Sequence, residues 1–423
     1  MPIRLLVIVV LTAVLRAQQP APPASSTLTK YDRGATLAML KQVKADLKQN
    51  YYDPSFRGLD VEKTFSEAED RLESATSLNQ AIGTIADVLM RLDDSHTFFL
   101  PPDRKARVKY GWQCAMVGDV PYVVAVEARS DAEKQGLKVG DRVLAWNQYT
   151  PTRGNLGRIS YVYRYVRPQP LQHLVVRSAD GALKTLDVET RLEDRDQGEL
   201  PDFLRTVFDL FDHTDDKDVR VDDVYVWKYS GFGDPKDVER VLKKARTANA
   251  LVLDLRGNSG GVMDAARAMV SGLFDRDVRI GLEHSRKGDH PIDAKGRKDG
   301  FAGRLVVLVD SNSASSAEIL ARLVQIERRG TVIGDRTAGA VMTARFVPHT
   351  YGEDRVTFYA TFISVGELRL PDGASLERVG VTPDELVLPT GADLAASRDP
   401  VLARAMTMLG TPMTAEEAAA IYR

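Results

Sequence analysis

Apolar residues recur three and four positions apart from Leu28 to about Arg91. In ATLAMLKQVKADLKQNYYD they fall at Leu37, Leu40, Val43 and Leu47, one stripe along an amphipathic helix. VEKTFSEAEDRLESA and LNQAIGTIADVLMRL repeat the pattern, and Ser77 is positioned to cap the latter. This predicts a small helical domain closing on LDDSHTFFLPP. Between about 106 and 190 the period shortens. YVVAV and RVLAW are β-rich runs broken by Gly-Asp and Pro, SDAEKQGL reads as one short helix, and HLVVRS and KTLDVET are joined by ADGA as a hairpin. RLEDRDQGELPDFLRTVFDLFDHTDDKD reads as a connector with one helix and a charged loop. Beyond it, DVYVWKYS, ALVLDLRG, RLVVLVDS and TVIGD are continuous apolar runs alternating with helical or glycine-rich segments such as AEILARLVQIERR. Such runs predict an α/β core on a largely parallel sheet, buried on both faces.

The first seventeen residues, MPIRLLVIVVLTAVLRA, have the layout of a secretory signal: Arg4, an apolar run from Leu5 to Leu15, and Ala17 at the cut. The run is about half the ~20 residues a membrane span needs, so no integral span is expected in the mature chain. QQPAPPASS then reads as an extended tether. The expected organisation is a signal peptide over 1–17, a Pro/Ala/Ser linker over 18–28, a helical domain over 29–105, a β-rich module over 106–190 and an α/β core over 191–423. Export, to a periplasm or the medium, follows from the signal.

Composition narrows the chemistry. The 423 residues carry 57 Lys plus Arg against 59 Asp plus Glu, a net charge of -2, which provides no basic field for nucleic acid. The single cysteine, Cys114, excludes an internal disulfide and a thiolate metal cluster. No HExxH or paired-histidine spacing occurs among the six histidines, so neither a metal nor another cofactor is expected.

Four features carry candidate chemistry. SNSASSAEILARL follows an apolar strand and sets Ser313, Ser315 and Ser316 at a helix start. Amide N–H groups there can stabilise a developing oxyanion, although serines at this position equally serve as caps. LDLRGNSGG also follows a strand, and Gly260 and Gly261 let the backbone approach a ligand, or simply turn. LDDSHTFFLPP sets His96 beside Ser95, and ASLERVGVTPDELV carries Glu377 in an acidic loop. Each alone is weak.

Taken in this order, these segments resemble the serine protease family that includes the C-terminal processing (tail-specific) proteases and tricorn protease. The resemblance covers most of the mature chain. It implies an N-terminal helical domain, a PDZ-like domain over 106–190 and an α/β protease core of the ClpP/crotonase-like type. Aligned on Ala-Glu-Ile, the family nucleophile falls on Ser315. The lysine that C-terminal processing enzymes carry 25 residues later would be position 340, which here is Ala340 in GDRTAGA. A Ser–Lys dyad is therefore not available. The tricorn-like branch draws its base from an N-terminal Ser-His pair, matched by Ser95 and His96. It completes a Ser–His–Ser–Glu tetrad with an acidic residue matched by Glu377. The backbone N–H groups of Gly260 and Ser316 are then expected to form the oxyanion hole. For Ser95 and His96 to act together, their backbone must bend, because neighbours in a regular strand point to opposite faces.

The resemblance implies a serine endopeptidase acting on extended polypeptides near their C-termini. The PDZ-like module would capture a peptide at a strand edge, with Tyr110, Gly111 and Trp112 as the carboxylate loop; a lid or regulatory role is the alternative. The partner is then a peptide or polypeptide, with a homo-oligomer left open. The rival reading is a non-enzymatic binder of apolar ligands or peptides on the same fold, as in interphotoreceptor retinoid-binding protein.

Overall fold

The computed structural model describes residues 28–102, 106–194, 216–352 and 357–422. Its first helix, α1 (Lys30–Asn50), starts where Thr29 and Asp32 cap each other's backbone N–H groups. Helices α2 (Val61–Glu73) and α3 (Leu78–Met90) start on Asp60 and on the expected Ser77. The predicted stripe is buried: Leu40, Val43 and Leu47 of α1 meet Phe65 and Leu72 of α2 and Ile85 and Leu89 of α3. Three helices of 21, 13 and 13 residues do not enclose that cluster by themselves. It is completed by Phe99 of strand β1 (Phe98–Leu100) and by Met342, Tyr359 and Ile363 from far along the chain. The helical segment thus shares its core with late strands.

Strand β2 (Ala106–Lys109) pairs antiparallel with β8 (Arg191–Asp194). Between them lies an antiparallel sheet in the order β3 (Trp112–Val117), β4 (Val120–Val126), β5 (Arg142–Trp146), β6 (Leu171–Arg177) and β7 (Leu183–Glu189). The hairpin read across ADGA is β6–β7. Helices α4 (Asp131–Lys134) and α5 (Leu156–Tyr161) belong to the same unit. Its own core gathers Trp112, Val123, Trp146 and Leu174. Residues 1–17, nearly all of the tether and most of the connector in which one helix is expected lie outside the described residues.

The α/β core is a six-stranded sheet: β18 (Glu385–Leu386), β15 (Thr331–Gly334), β14 (Arg304–Val309), β11 (Ala250–Asp254), β10 (Val224–Lys228) and β9 (Lys217–Val221). All neighbours are parallel except β9 against β10. Alternate residues leave the sheet on opposite sides. Leu251, Leu253, Leu305 and Val307 pack with helices α6 (Pro235–Ala245), α7 (Met263–Leu273) and α8 (Ser316–Ile326). Ala250, Val252, Val306 and Leu308 pack with Leu402, Ala405 and Met406 of the C-terminal region. Burial on both faces is why these strands read as unbroken apolar runs.

A second sheet runs β1, β17 (Thr357–Arg369), β12 (Val278–Ser285) and β13 (Gly288–Ala294), with β16 (Met342–Tyr351) paired to β17. Through Phe98 opposite Phe362, β17 fixes the segment just after His96. The β-rich unit docks on the core near the same place. Arg153 binds Asp335 and donates to the Arg336 and Gly118 carbonyls, and Ser311 Oγ donates to the Met116 carbonyl at 2.6 Å. No helix among the described residues is long and apolar enough to cross a membrane.

Candidate active site

Strand β14 ends at Val309, and six residues later the chain enters α8 through Ser315. Ser315 has φ 55° and ψ -118°, a conformation that costs a non-glycine residue on the order of 1–3 kcal/mol and persists only where neighbours impose it. They do so here. The Ser315 N–H donates to the Ala340 carbonyl at 2.9 Å and to Glu318 Oε2 at 3.1 Å. The side chain is half-buried, at the N-terminus of α8.

Glu318 is the main residue the sequence reading missed. It is fully buried, and its carboxylate gathers Thr337 Oγ1 (2.5 Å), Gly339 N–H (2.8 Å), Ala340 N–H (2.9 Å) and Ser315 N–H. Burial pushes its pKa above the ordinary carboxylate value, against the pull of these donors. The signal was present in Ser-x-x-Glu, the reciprocal cap pattern, but nothing local shows that the same carboxylate clamps a loop twenty residues on. Ala340, at the position where the resemblance would have placed a lysine, is thus adjacent to Ser315 through its backbone.

Ser95 and His96 sit in a turn, as their pairing requires. Asp93 at φ 49° starts it, and the His96 N–H donates to Asp94 Oδ1 at 2.9 Å. The Ser95 N–H donates to Glu377 Oε1 at 2.9 Å, and Ser95 Oγ donates to Glu377 Oε2 at 2.7 Å. Ser95 Oγ also lies 2.7 Å from His96 Nδ1. A hydroxyl has one proton, and the carboxylate takes it, so Ser95 must accept from Nδ1–H. That tautomer leaves the Nε2 lone pair free to act as a base. Glu377 is itself buried, and Oε2 accepts the Val341 N–H at 3.0 Å, one residue past the Ala340 that binds Ser315. The tetrad positions are therefore tied together by side-chain and backbone bonds, although among the described residues no hydrogen bond joins the Ser315 hydroxyl to His96.

Burial holds the His96 pKa below its ordinary value, opposed by the nearby Glu377 and Asp94 carboxylates. The ring is then neutral, and able to take a proton, down to a pH below the usual 6.5. If His96 is the base, the acid limb of a kcat/KM profile should fall with a midpoint under 6.5. A rate that is unchanged on acidification to pH 4 would contradict this role.

The glycine loop meets Ser315 closely. A Cβ at Gly260, where φ is +97°, would lie 2.5 Å from Ser315 Cβ and 3.1 Å from its hydroxyl, so only glycine fits. The Gly260 N–H, expected as an oxyanion donor, donates to Asn258 Oδ1 at 2.8 Å in this structure. Asn258 is fully buried and also donates to the Tyr229 carbonyl. A substrate oxygen must therefore share or displace that bond. The side chain of Ser316 donates to the Gly261 carbonyl, which ties the two loops together.

The expected peptide loop has mixed character. Gly111 has φ 74° and a Cβ there would meet Ser130, so the bend needs glycine. Tyr110 donates its hydroxyl proton to the Tyr163 carbonyl, and Trp112 is buried with its indole N–H on Gln172 Oε1. The Trp112 side chain thus belongs to the core of the β-rich unit, leaving only backbone to meet a ligand. Cys114 lies in the same unit, where burial pushes its thiol up to about 12, too high for a nucleophile.

A half-buried serine on a strained strand–helix junction, facing a glycine loop, is arranged as in serine hydrolases. Comparison with known proteins agrees: residues 223–387 match peptidase family S41. The chain is 31% identical over 134 residues to the chloroplastic C-terminal processing peptidase of Tetradesmus obliquus, covering 32% of this chain and 28% of that one. It is 32% identical over 160 residues to the tail-specific protease of Haemophilus influenzae, covering 36% and 23%. The chain thus spans about a quarter of the length of these two relatives. A carboxyl-terminal-processing protease of Picosynechococcus matches at 24% over 321 residues, 73% of each chain. Among solved structures, mature CPAF complexed with lactacystin superposes with a TM-score of 0.64 at 14% identity, over 86% of this chain and 96% of that one. The photosystem II D1 C-terminal processing protease gives 0.50 at 19%, over 84% and 94%. At these identities the structural likeness is one of fold. The chain is thus similar to the C-terminal processing and tail-specific proteases, the resemblance its motifs implied.

Proposed function

We propose that this protein is an exported serine endopeptidase that cleaves extended polypeptides near their C-termini, with a Ser315–His96–Ser95–Glu377 tetrad. The observation that carries this reading is the bonded run from Glu377 through Ser95 to His96, joining residues 282 positions apart. In the proposed reaction, Ser315 Oγ attacks the scissile carbonyl while His96 Nε2 takes its proton. The C–N bond then breaks as the imidazolium returns that proton to the leaving amine. Water, giving a proton to the same nitrogen, then attacks the ester carbonyl; the Oγ–C bond breaks as the imidazolium passes that proton to Ser315 Oγ, freeing the acyl group as a carboxylic acid. Ser95 and Glu377 hold the ring and balance the charge it gains. Gly260 and Ser316 offer N–H groups to the oxyanion, the former in competition with Asn258. With Ala340 where the lysine would stand, histidine supplies the base in this chain.

The β-rich unit fits a PDZ-like role, since β3 is an edge strand that a peptide could extend. The core fits the ClpP/crotonase-like type, and residues 1–17 fit an export signal. A carrier of apolar ligands on this fold would have no use for a serine-held histidine.

The test is labelling with a fluorophosphonate probe. The full chain should be labelled, and His96→Ala and Ser315→Ala should not. A well-folded wild-type protein that takes no label would overturn the proposal.

A further inference from the structure

Asp94 stands next to the Ser95–His96 pair and has no part in the proposed tetrad, yet it is as heavily bonded as any residue there. It is 9% exposed. Oδ1 accepts the His96 N–H at 2.9 Å and the Ser364 hydroxyl at 2.6 Å, and Oδ2 accepts the Tyr51 hydroxyl at 3.0 Å. Its partners come from three places: its own turn, strand β17, and the residue that ends α1. Tyr51 is fully buried and Ser364 likewise, so neither can drift. The bond to His96 N–H spans two residues and closes the turn that brings the Ser95 and His96 side chains together.

The surroundings are charged in a specific way. The carboxylates acting on the imidazole are Glu377, which reaches it through Ser95, and Asp94, which holds its backbone. From α1 and the segment after it, Tyr51, Tyr52 and Arg57 face this cluster. On the far side Arg378 lies 3.7 Å from Glu377 and pairs with Asp93 at 2.7 Å. Asp94 is thus a buried negative charge close to the group that turns positive during catalysis. Opposite charges at short range in a buried site interact far more strongly than in water.

We propose that Asp94 is a positioning residue for the base: its carboxylate fixes the turn that presents His96 and faces the charge the imidazolium acquires when Ser315 gives up its proton. This rests on the peptidase reading above. Asp94 acts through His96 and touches no substrate.

Asp94→Asn tests it with little disturbance. The amide oxygen can still accept from His96 N–H and Ser364, and the NH2 can donate to the Tyr51 oxygen, so shape is kept and charge is lost. The expected result is a lower kcat at nearly unchanged KM. The acid limb of kcat/KM should shift to lower pH by on the order of one unit, because an attractive carboxylate no longer favours the protonated ring. A residue that only supports the fold would lower the melting temperature and leave the limb in place, so an unmoved limb overturns the proposal. If Asp94→Asn does not fold, Tyr51→Phe removes one tether and keeps the ring. Probe labelling should then slow, by up to about 10²-fold if the ring moves by about 1 Å, and a wild-type labelling rate overturns the proposal. The two readings fail separately: an unlabelled wild type defeats the peptidase, whereas a labelled wild type with an unmoved limb in Asp94→Asn defeats only this inference.

Discussion

Replacing Ser315 with alanine should lower peptide hydrolysis by on the order of 10⁶ in kcat, to the residual level that binding and the oxyanion donors sustain. The melting temperature should barely move. The substitution removes one hydroxyl, while the contacts that impose the unusual backbone at this position are made by the Ser315 N–H to Ala340 and Glu318 and persist in the variant. Alanine at φ 55° carries the strain that serine already carries. Initial rates on a peptide with an extended C-terminus, beside a thermal melt, give both numbers. Hydrolysis retained within tenfold of the wild type would remove Ser315 from the nucleophile's role.

Gly260→Ala should damage activity less than loss of Ser315 does, but should cost more stability. The added methyl would stand 2.5 Å from Ser315 Cβ and 3.0 Å from the Ala314 carbonyl, on a backbone at φ +97°. Either the glycine loop or Ser315 must retreat. Losing one aligned oxyanion donor typically costs ~10²–10³ in rate, and the strained conformation adds about 1–3 kcal/mol of destabilisation. Gly257→Ala is the internal control. Gly257 also has a positive φ of 76°, but nothing lies within 4 Å of an added Cβ. It should therefore lose stability alone and keep its rate. If the two variants behave alike, crowding at Ser315 is not what the glycine prevents.

Much of this architecture was readable because it is local. ALVLD and RLVVLV are buried on both faces of one sheet, so their apolar runs are unbroken and announce a parallel core. Leu40, Val43 and Leu47 announce a helix face in the same way. What covers that face was not readable. Met342, Tyr359 and Ile363 complete the helical cluster from strands some three hundred positions later, and no periodicity in α1 encodes its partner. The site divides along the same line. Ser315, His96, Ser95 and Glu377 were singled out because their motifs resemble a family, and the bonds from Glu377 through Ser95 to His96 are visible only in the fold. Glu318 and Asn258 were passed over because a buried carboxylate or amide is indistinguishable from a cap or a turn residue until its donors are known. The hydrogen bond from Gly260 to Asn258 is likewise a fact of conformation, invisible in Gly-Asn-Ser-Gly-Gly.

The distance along the chain between Ser95 and Glu377 has a consequence for biogenesis. His96 is made early, but its orienting carboxylate does not exist until residue 377 has been synthesised, and β17, which pins the segment beside it, is completed only at Arg369. On the proposed reading, a nascent chain ending before residue 377 therefore carries a His96 that no carboxylate has yet oriented through Ser95.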